Sequence, residues 1–329
     1  MIIKGLGELN KLEIKDKDLF SKYLEKYSQN FCDFNLFNLF SWSAVYEYYW
    51  IIYEERLIIY NKTTDYIYKP IGEFLPFSKI LYISDSFKNS GFSGNLALFD
   101  DNYINFINNS YKFEKDLNKF FKVTESRDNA NYIYFTEKLA YLKGRKFHNK
   151  RNLISQFTKN NKEINIKILN RTNSDCQVFR QCIELGEKWY KNKEEQKKIE
   201  NNESFIFQDK QAEKVKYMLE MELIVLKNSC NYFKELDIGL IIIEINDKII
   251  GFSVYSKQND DMATVHFEKF DIDYTGIPQF INNITAKNLL GKYKYINRED
   301  DLGIEQLRFA KNSYYPDILL IPFLLIRKE

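Results

Sequence analysis

Apolar and polar residues follow helical spacing in the first part of the chain and alternating spacing further on. Apolar side chains recur at every third or fourth position over residues 17–27, which predicts a helix. The aromatic-rich segment "FNLFNLFSWSAVYEY" after it is also expected to be helical. Two apolar runs around residues 54–56 predict a β-hairpin, followed by a loop that carries Pro70, Gly72 and Pro76. Further helices are expected at residues 102–108, 115–121 and 153–157.

The second half of the chain opens with an alternating segment, residues 163–170, which predicts a strand. We place a domain boundary just before it, which gives domains at residues 1–160 and 161–329. Helices are expected at residues 175–191 and 210–228. The mixed-charge residues 191–202 between them are interpreted as a solvated helix end and loop.

The last third of the chain alternates most regularly. Three apolar segments separated by the turns "ND" and "QNDD" predict an antiparallel meander. A helix, a short strand, a second helix and a last strand are expected after it. Helices packed on mixed sheets define an α+β fold class. The segments are, in order, "IGLIIIEI", "KIIGFSVYSK", "ATVHFEKF", "IPQFINNITAKNLL", "YKYIN", "LGIEQLRFAKNS" and "DILLIPFLLI".

Composition limits the classes of partner. The 329 residues suggest about two domains, and 48 Lys and Arg against 46 Asp and Glu give a net charge of +2. Such a balance provides no global field for nucleic acid or membrane, so any anion site must be local. Two histidines and four scattered cysteines, Cys32, Cys176, Cys182 and Cys230, show no metal-ligand spacing. We therefore expect no metal and no tightly bound cofactor.

Localisation follows from the same sequence. The cysteines form no dense disulfide pattern, which favours reduced thiols. The N-terminus lacks a signal-peptide core, and the apolar run at residues 318–326 is too short to span a bilayer. We expect a cytoplasmic protein without a transmembrane segment.

One short stretch departs from the neutral average. "LKGRKFHNKRN", residues 142–152, contains five cations and a histidine but no acid. Two interpretations remain open: a solvated surface turn, or a site for phosphate on a nucleic acid, a lipid headgroup or a nucleotide. The candidate ligand-binding residues here are Lys143, Arg145, His148, Lys150, Arg151 and Asn152.

Two segments of the C-terminal third carry polar residues suited to chemistry. Alternation in "VHFEKF" predicts that His266, Glu268 and Phe270 share one face of a strand. Glu268 is a candidate general base, or one half of a structural ion pair. His266 is a candidate ligand, or a core histidine with satisfied hydrogen bonds.

The segment "YINREDDLG" crowds polar residues at a strand end before a helix, a common place for a site. Asn297, Arg298 and Glu299 are candidates there, and Arg298 suits a phosphate or carboxylate. Asp301 is either a ligand or the N-cap of the helix. Tyr314 follows as a candidate proton donor to a leaving group.

The predicted order of three antiparallel strands, helix, strand and helix is that of the GNAT acyltransferase fold. "FNLFNLFSW", "YIYFTEKLAYLKGRKFHNKRNLISQF" and "HFEKFDIDYTGIPQFIN" with "YINREDDLGIEQLRFAKNSYYP" resemble proteins related to the C-terminal domain of phosphatidylglycerol lysyltransferase. The resemblance covers nearly the whole chain. It implies two tandem GNAT-like domains, an architecture shared with peptidoglycan aminoacyltransferases, and the membrane-embedded part of the lysyltransferases has no counterpart here.

The resemblance also directs attention to the turn where GNAT enzymes hold the pyrophosphate of a donor, with the pattern R/Q-x-x-G-x-G/A. The equivalent turn reads "DYTGIP", in which only Gly276 matches, and Pro278 lacks the N–H that would be needed. Gly276 and Gln279 are candidate donor-binding residues, with a plain helix cap as the alternative.

Three hypotheses follow. The first is a transferase that moves an aminoacyl or acyl group, with aminoacyl-tRNA as the preferred donor, to an amine or hydroxyl. The acceptor is a small molecule or a lipid headgroup. The second uses an acyl-CoA donor on the same fold. The third is a non-catalytic module that binds an anionic ligand. Glu268, Asn297 and Tyr314 are the catalytic candidates under the first two.

Overall fold

The computed structural model of this chain describes residues 1–110, 116–200 and 209–329. Lys115 of one predicted helix, and residues 201–202 of the mixed-charge segment, lie outside the described residues. Among the described helices, none combines the length and the apolar character needed to cross a lipid bilayer.

The chain divides into two compact units. The first comprises Met1–Asn131, Asp300–Gly303 and Leu319–Glu329, and the second comprises Tyr132–Glu299 and Ile304–Ile318. The first division falls near Asn131 rather than near residue 160, because the helices between residues 136 and 160 pack against a helix of the second unit.

The first unit contains a seven-stranded mixed sheet in the order β3-β4-β5-β6-β7-β16-β8. The predicted hairpin is confirmed, and its turn places Glu54 and Glu55 in the left-handed region with φ of 46° and 63°. The elements are β1 (Ile2–Ile3), β2 (Gly7–Glu8), β3 (Asn10–Lys11), α1 (Lys17–Lys26), α2 (Leu36–Trp42), β4 (Tyr48–Tyr53), β5 (Arg56–Asn61), β6 (Tyr66–Tyr68), α3 (Phe77–Lys88), β7 (Asn95–Phe99), α4 (Asp101–Ser110), α5 (Asp116–Phe120), β8 (Phe121–Glu125) and β16 (Phe323–Arg327).

The second unit contains the other seven-stranded mixed sheet, in the order β10-β11-β12-β13-β14-β9-β15. Its strand β11 is buried along its whole length, as a continuous apolar run predicts. The elements are β9 (Asn131–Phe135), α6 (Thr136–Tyr141), α7 (His148–Asn160), β10 (Ile164–Leu169), α8 (Cys176–Glu200), α9 (Asp209–Asn231), β11 (Gly239–Ile245), β12 (Lys248–Lys257), β13 (Met262–Phe270), α10 (Ile277–Leu289), β14 (Tyr295–Asn297), α11 (Glu305–Asn312) and β15 (Ile318–Leu320).

Both sheets repeat one plan. Three antiparallel strands are followed by a helix and by a fourth strand parallel to the third: β4, β5, β6, α3 and β7 in one unit, and β11, β12, β13, α10 and β14 in the other. The α+β class with two tandem GNAT-like units is therefore confirmed.

The last segment of the chain differs from the prediction of one strand. Pro322 separates β15 from β16, and the two strands belong to different sheets. Proline has no N–H to donate to a ladder, so a strand is readily interrupted at that position.

Candidate functional site

A β-bulge in β13 places His266 and Glu268 on opposite faces of the sheet. The ladder with β12 shifts here, and no residue of β12 lies opposite His266. Glu268 contacts Asn282 of α10, whereas His266 contacts Ser256, which is three positions along β12 from Ser253, the partner of Glu268. The prediction that His266 and Glu268 share a face is therefore wrong, because the extra residue of a bulge reverses the alternation.

Glu268 and Arg298 form an ion pair near the carboxyl ends of the parallel strands β13 and β14. Nη2 of Arg298 lies 2.5 Å from Oε2 of Glu268, and the side chains are 16% and 13% exposed. Asn282 donates from Nδ2 to Oε1 of Glu268 over 3.4 Å. Burial opposes the charge on Arg298, but the Glu268 carboxylate outweighs it and the pKa of Arg298 is raised.

Several buried polar atoms around this pair have no hydrogen-bond partner within the described part of the chain. They are Nη1 of Arg298, Oδ1 of Asn282, Oγ of Ser253 and Oγ1 of Thr285. Ser253 lies directly across the ladder from Glu268, and Thr285 follows Asn282 by three residues on α10. An unsatisfied buried polar group costs about 1–3 kcal/mol, so this group of atoms is suited to receive water or a polar ligand.

Lys150 connects the basic stretch to this cluster. Its Nζ donates to Oγ of Ser313 over 2.7 Å and lies 4.2 Å from the ring centre of Tyr314. The guanidinium of Arg298 lies 5.2 Å from the same ring. Burial, and then the charge of Arg298, lower the pKa of Lys150. Burial raises the pKa of Tyr314 to about 12, so its hydroxyl keeps its proton at neutral pH.

The other residues of the basic stretch do not join this cluster. Arg151 donates from Nη1 to the carbonyls of Leu142 and Gly144, at 2.5 and 2.8 Å, and so closes the turn before α7. Nδ2 of Asn152 lies 3.1 Å from Nε2 of His148, and both residues are exposed. Lys143 and Arg145 are also exposed.

A short network at the end of β14 holds the backbone on either side of Arg298. Oδ1 of the fully buried Asn297 accepts the N–H of Glu299 over 2.7 Å, and Glu299 adopts a left-handed φ of 58°. The carboxylate of Glu299 lies 2.8 Å from Nδ1 of His266, whose Nε2 lies 2.8 Å from Oγ of Ser256. Asn297, Glu299 and His266 thus support the turn that presents Arg298.

The turn expected to hold a donor pyrophosphate has a packing role. Gly276 is the N-cap of α10 with φ of 90°, and a Cβ built on it would lie 2.2 Å from the carbonyl oxygen of Leu153 on α7. Glycine is required here because α7 lies directly against the helix start. Gln279 is partly exposed on the first turn of the same helix.

Asp301 belongs to the first unit. Its fully buried carboxylate pairs with Arg127 over 3.2 Å and accepts the N–H of Gly303 over 2.9 Å. The N-cap of α11 is Ile304, so the interpretation of Asp301 as that cap is wrong.

Three residues of this cluster, Ser253, Asn282 and Thr285, are absent from the candidates that the sequence predicts. A signal existed for two of them, because Asn282 and Thr285 interrupt the apolar, inward face of α10. No group of His, Cys, Asp and Glu side chains in the described residues is arranged to hold a metal ion.

Comparisons with known proteins agree with this architecture. Residues 25–324 match the family model described as "Phosphatidylglycerol lysyltransferase, C-terminal". A conserved protein of unknown function from Bacteroides thetaiotaomicron VPI-5482 is similar in structure over 99% of this chain and 100% of that chain, with 24% identity and a TM-score of 0.81.

Two further solved structures are similar at 11% identity and a TM-score of 0.61. One is L-PGS from Bacillus licheniformis, and the match covers 96% of this chain and 93% of that chain. The other is the C-terminal domain of a protein described as a lysylphosphatidylglycerol synthetase from Agrobacterium fabrum. That match covers 95% of this chain and 92% of that chain. A comparison with curated proteins gives no match. At these identities the structural likeness concerns the fold.

Proposed function

The chain belongs to the family of phosphatidylglycerol lysyltransferase C-terminal domains, and from that premise we propose that it transfers an aminoacyl group from an aminoacyl-tRNA to an amine or hydroxyl acceptor. Family and fold support a GNAT-like transferase in general terms, whereas donor and acceptor are part of the proposal. The observation that carries it is the buried Nη1 of Arg298 beside Glu268, which has no hydrogen-bond partner in the described part of the chain. Lys150 and Tyr314 lie close by.

The corresponding strand ends of the first unit support assigning the reaction to the second. Lys69 and Asp100 follow the parallel strands β6 and β7 and pair at 2.5 Å. Lys69 is 7% exposed at its side chain, and its Nζ lies 6.0 and 5.6 Å from the rings of Phe31 and Phe34. In contrast to Arg298, neither of these two charged side chains has a buried atom that lacks a hydrogen-bond partner.

The side chains of the second unit suit one concerted transfer. The acceptor attacks the ester carbonyl carbon, so that a new C–N or C–O bond forms while the ester bond to the tRNA ribose oxygen breaks. Glu268 takes the proton of the acceptor, and Tyr314 gives its phenolic proton to the leaving oxygen. Nη1 of Arg298 donates to the developing oxyanion. The proton on Glu268 then returns to Tyr314 through water.

The donor turn favours aminoacyl-tRNA over acyl-CoA. The Cβ direction of Gly276 is filled by the backbone of α7, and Pro278 offers no N–H for a pyrophosphate. Lys150 instead supplies a half-buried cation at the Arg298 cluster, where a phosphate near the acceptor end of a tRNA would be neutralised.

The test is transfer of label from bulk tRNA charged with radiolabelled amino acids, in the presence of amine, hydroxyl and phospholipid acceptors. We expect protein-dependent transfer that falls about a hundredfold or more in Glu268→Gln, because proton removal is lost. Glu220→Gln, an exposed carboxylate on α9, is the matched control and should leave the rate unchanged.

The two rival hypotheses predict different results. Transfer from acyl-CoA but not from aminoacyl-tRNA, abolished by Glu268→Gln, would overturn the proposed donor and leave the site in place. Salt-dependent binding of tRNA or CoA without transfer from either donor would identify a non-catalytic module.

A further inference from the structure

Helix α11 of the second unit presents apolar side chains outward. None of its residues is buried, and Phe309 is 78% exposed while Leu307 is 41% exposed. Its cation Lys311 points inward, donating from Nζ to the carbonyl of Arg298 over 2.6 Å. This arrangement is opposite to that of a helix whose apolar face packs on a core, and it leaves a large aromatic side chain in solvent.

Exposed cations and aromatic rings adjoin the end of this helix. Nζ of Lys146 lies 4.7 Å from the ring centre of Tyr315, which is 46% exposed. Nζ of Lys143 lies 4.8 Å from the ring of Tyr141, which is 49% exposed. The N–H of Ser313 bonds to the carbonyl of Phe309, so Phe309 lies one turn before this segment. Arg145, between the two lysines, is exposed as well.

We propose that this surface docks the protein on an anionic lipid bilayer. The docking surface consists of Tyr141, Lys143, Arg145, Lys146, Phe309 and Tyr315. Phe309 enters the boundary between headgroups and acyl chains, the two tyrosines lie at headgroup level, and the three cations pair with lipid phosphates. The proposal goes beyond the proposed transfer, since it concerns where the protein is held and requires no reaction.

The charges of the neighbourhood favour an anionic partner. Lys138 is neutralised by Asp317 at 2.8 Å, and the exposed Glu137 lies 3.7 Å from Lys143. The three cations of the docking surface outnumber the exposed acids Glu137 and Glu305, the second of which lies one turn before Phe309 on α11. A bilayer is favoured over nucleic acid because it covers the apolar ring of Phe309 as well as neutralising the cations.

The experiment is co-sedimentation with vesicles. One set is phosphatidylcholine alone, and two sets contain equal parts of phosphatidylcholine and either phosphatidylglycerol or phosphatidylserine. We expect binding to both anionic sets, little binding to phosphatidylcholine, and weakening with salt. Lys143→Gln/Arg145→Gln/Lys146→Gln should lower the partition coefficient about a hundredfold. Phe309→Ser should lower it about thirtyfold.

Matched variants elsewhere in the second unit serve as controls. Tyr217→Ser removes a 55% exposed aromatic residue from α9, and Lys216→Gln/Lys227→Gln/Lys257→Gln makes the same change of net charge. Both should bind vesicles like the unaltered protein. Failure of the unaltered protein to bind anionic vesicles, or equal losses in the control variants, would overturn the proposal. Binding to phosphatidylglycerol alone would instead indicate recognition of one headgroup and would also overturn it.

Discussion

Arg298 donates from Nη2 to Oε2 of Glu268 over 2.5 Å, while its Nη1 is buried without a hydrogen-bond partner among the described residues. The guanidinium is thus held in place by one carboxylate and retains donor capacity for a second group. Since a buried donor without a partner is unfavourable, Nη1 of Arg298 is suited to bind water or a polar ligand.

Removing one half of the Glu268–Arg298 pair should cost more than removing both. Arg298→Met is expected to lower the free energy of unfolding by about 3 kcal/mol, because it leaves a buried carboxylate unpaired. Glu268→Leu/Arg298→Met should recover most of that loss. Urea denaturation checks this, with Lys257→Met at the exposed pair with Asp260 as the control, where the change should stay below about 1 kcal/mol. Equal losses in the single and double variants would contradict the prediction.

Lys150→Met should raise the melting temperature at neutral pH while weakening tRNA binding. Burial and the charge of Arg298 lower the pKa of Lys150 in the folded protein. At pH values between this lowered pKa and the unfolded-state pKa of about 10.4, the unfolded protein therefore binds more protons than the folded protein. The stability of the unaltered protein therefore rises with pH across that window. The difference in melting temperature between Lys150→Met and the unaltered protein should become smaller over the same window. Calorimetry over a pH series measures the difference, with exposed Lys143→Met as the control. A variant that melts lower than the unaltered protein at every pH would show that Lys150 has a purely structural role.

The phenol of Tyr314 should titrate near 12. Burial raises its pKa to about 12, so its proton is retained where an exposed tyrosine, with a pKa of about 10, loses it. The stability that Tyr314 contributes is present below about pH 10 and is lost as pH rises towards about 12. An ultraviolet difference titration between the unaltered protein and Tyr314→Phe isolates this one of 24 tyrosines. A titration midpoint near pH 10 for Tyr314 would show that its phenol is not held in the neutral form by burial.

Gly276→Ala should be far more damaging than Gly144→Ala. Both glycines have positive φ, 90° and 94°, so both substitutions carry about 1 kcal/mol of backbone strain. Only at Gly276 does the new Cβ meet backbone, at 2.2 Å from the carbonyl oxygen of Leu153, whereas nothing lies within 4 Å at Gly144. Thermal unfolding should show a loss at Gly276 that is larger by about 2 kcal/mol or more, through displacement of α7. Equal losses of stability in the two variants would mean that α7 moves to accommodate the new Cβ of Gly276→Ala without an energetic cost.

Local sequence was sufficient for most helices and strands. The apolar alternation around Glu54–Arg56 predicted the β4–β5 hairpin, and helical spacing predicted α1 with an end one residue from its observed end at Lys26. Glu268, Arg298, Tyr314 and Lys150 were each candidates before their proximity was known. Periodicity and residue type suffice at this level because they reflect interactions over only a few residues.

Tertiary structure decided which of these candidates meet. The bulge opposite β12 separates His266 from Glu268, and packing directs Arg151 to the carbonyls of Leu142 and Gly144 while Lys150 reaches Tyr314. Tertiary structure also decided that the chain divides near Asn131. The pairing of β16 with β7 and β8 joins residues about two hundred positions apart. Register and such long-range pairing depend on packing against distant segments, which no local pattern of apolar and polar residues encodes.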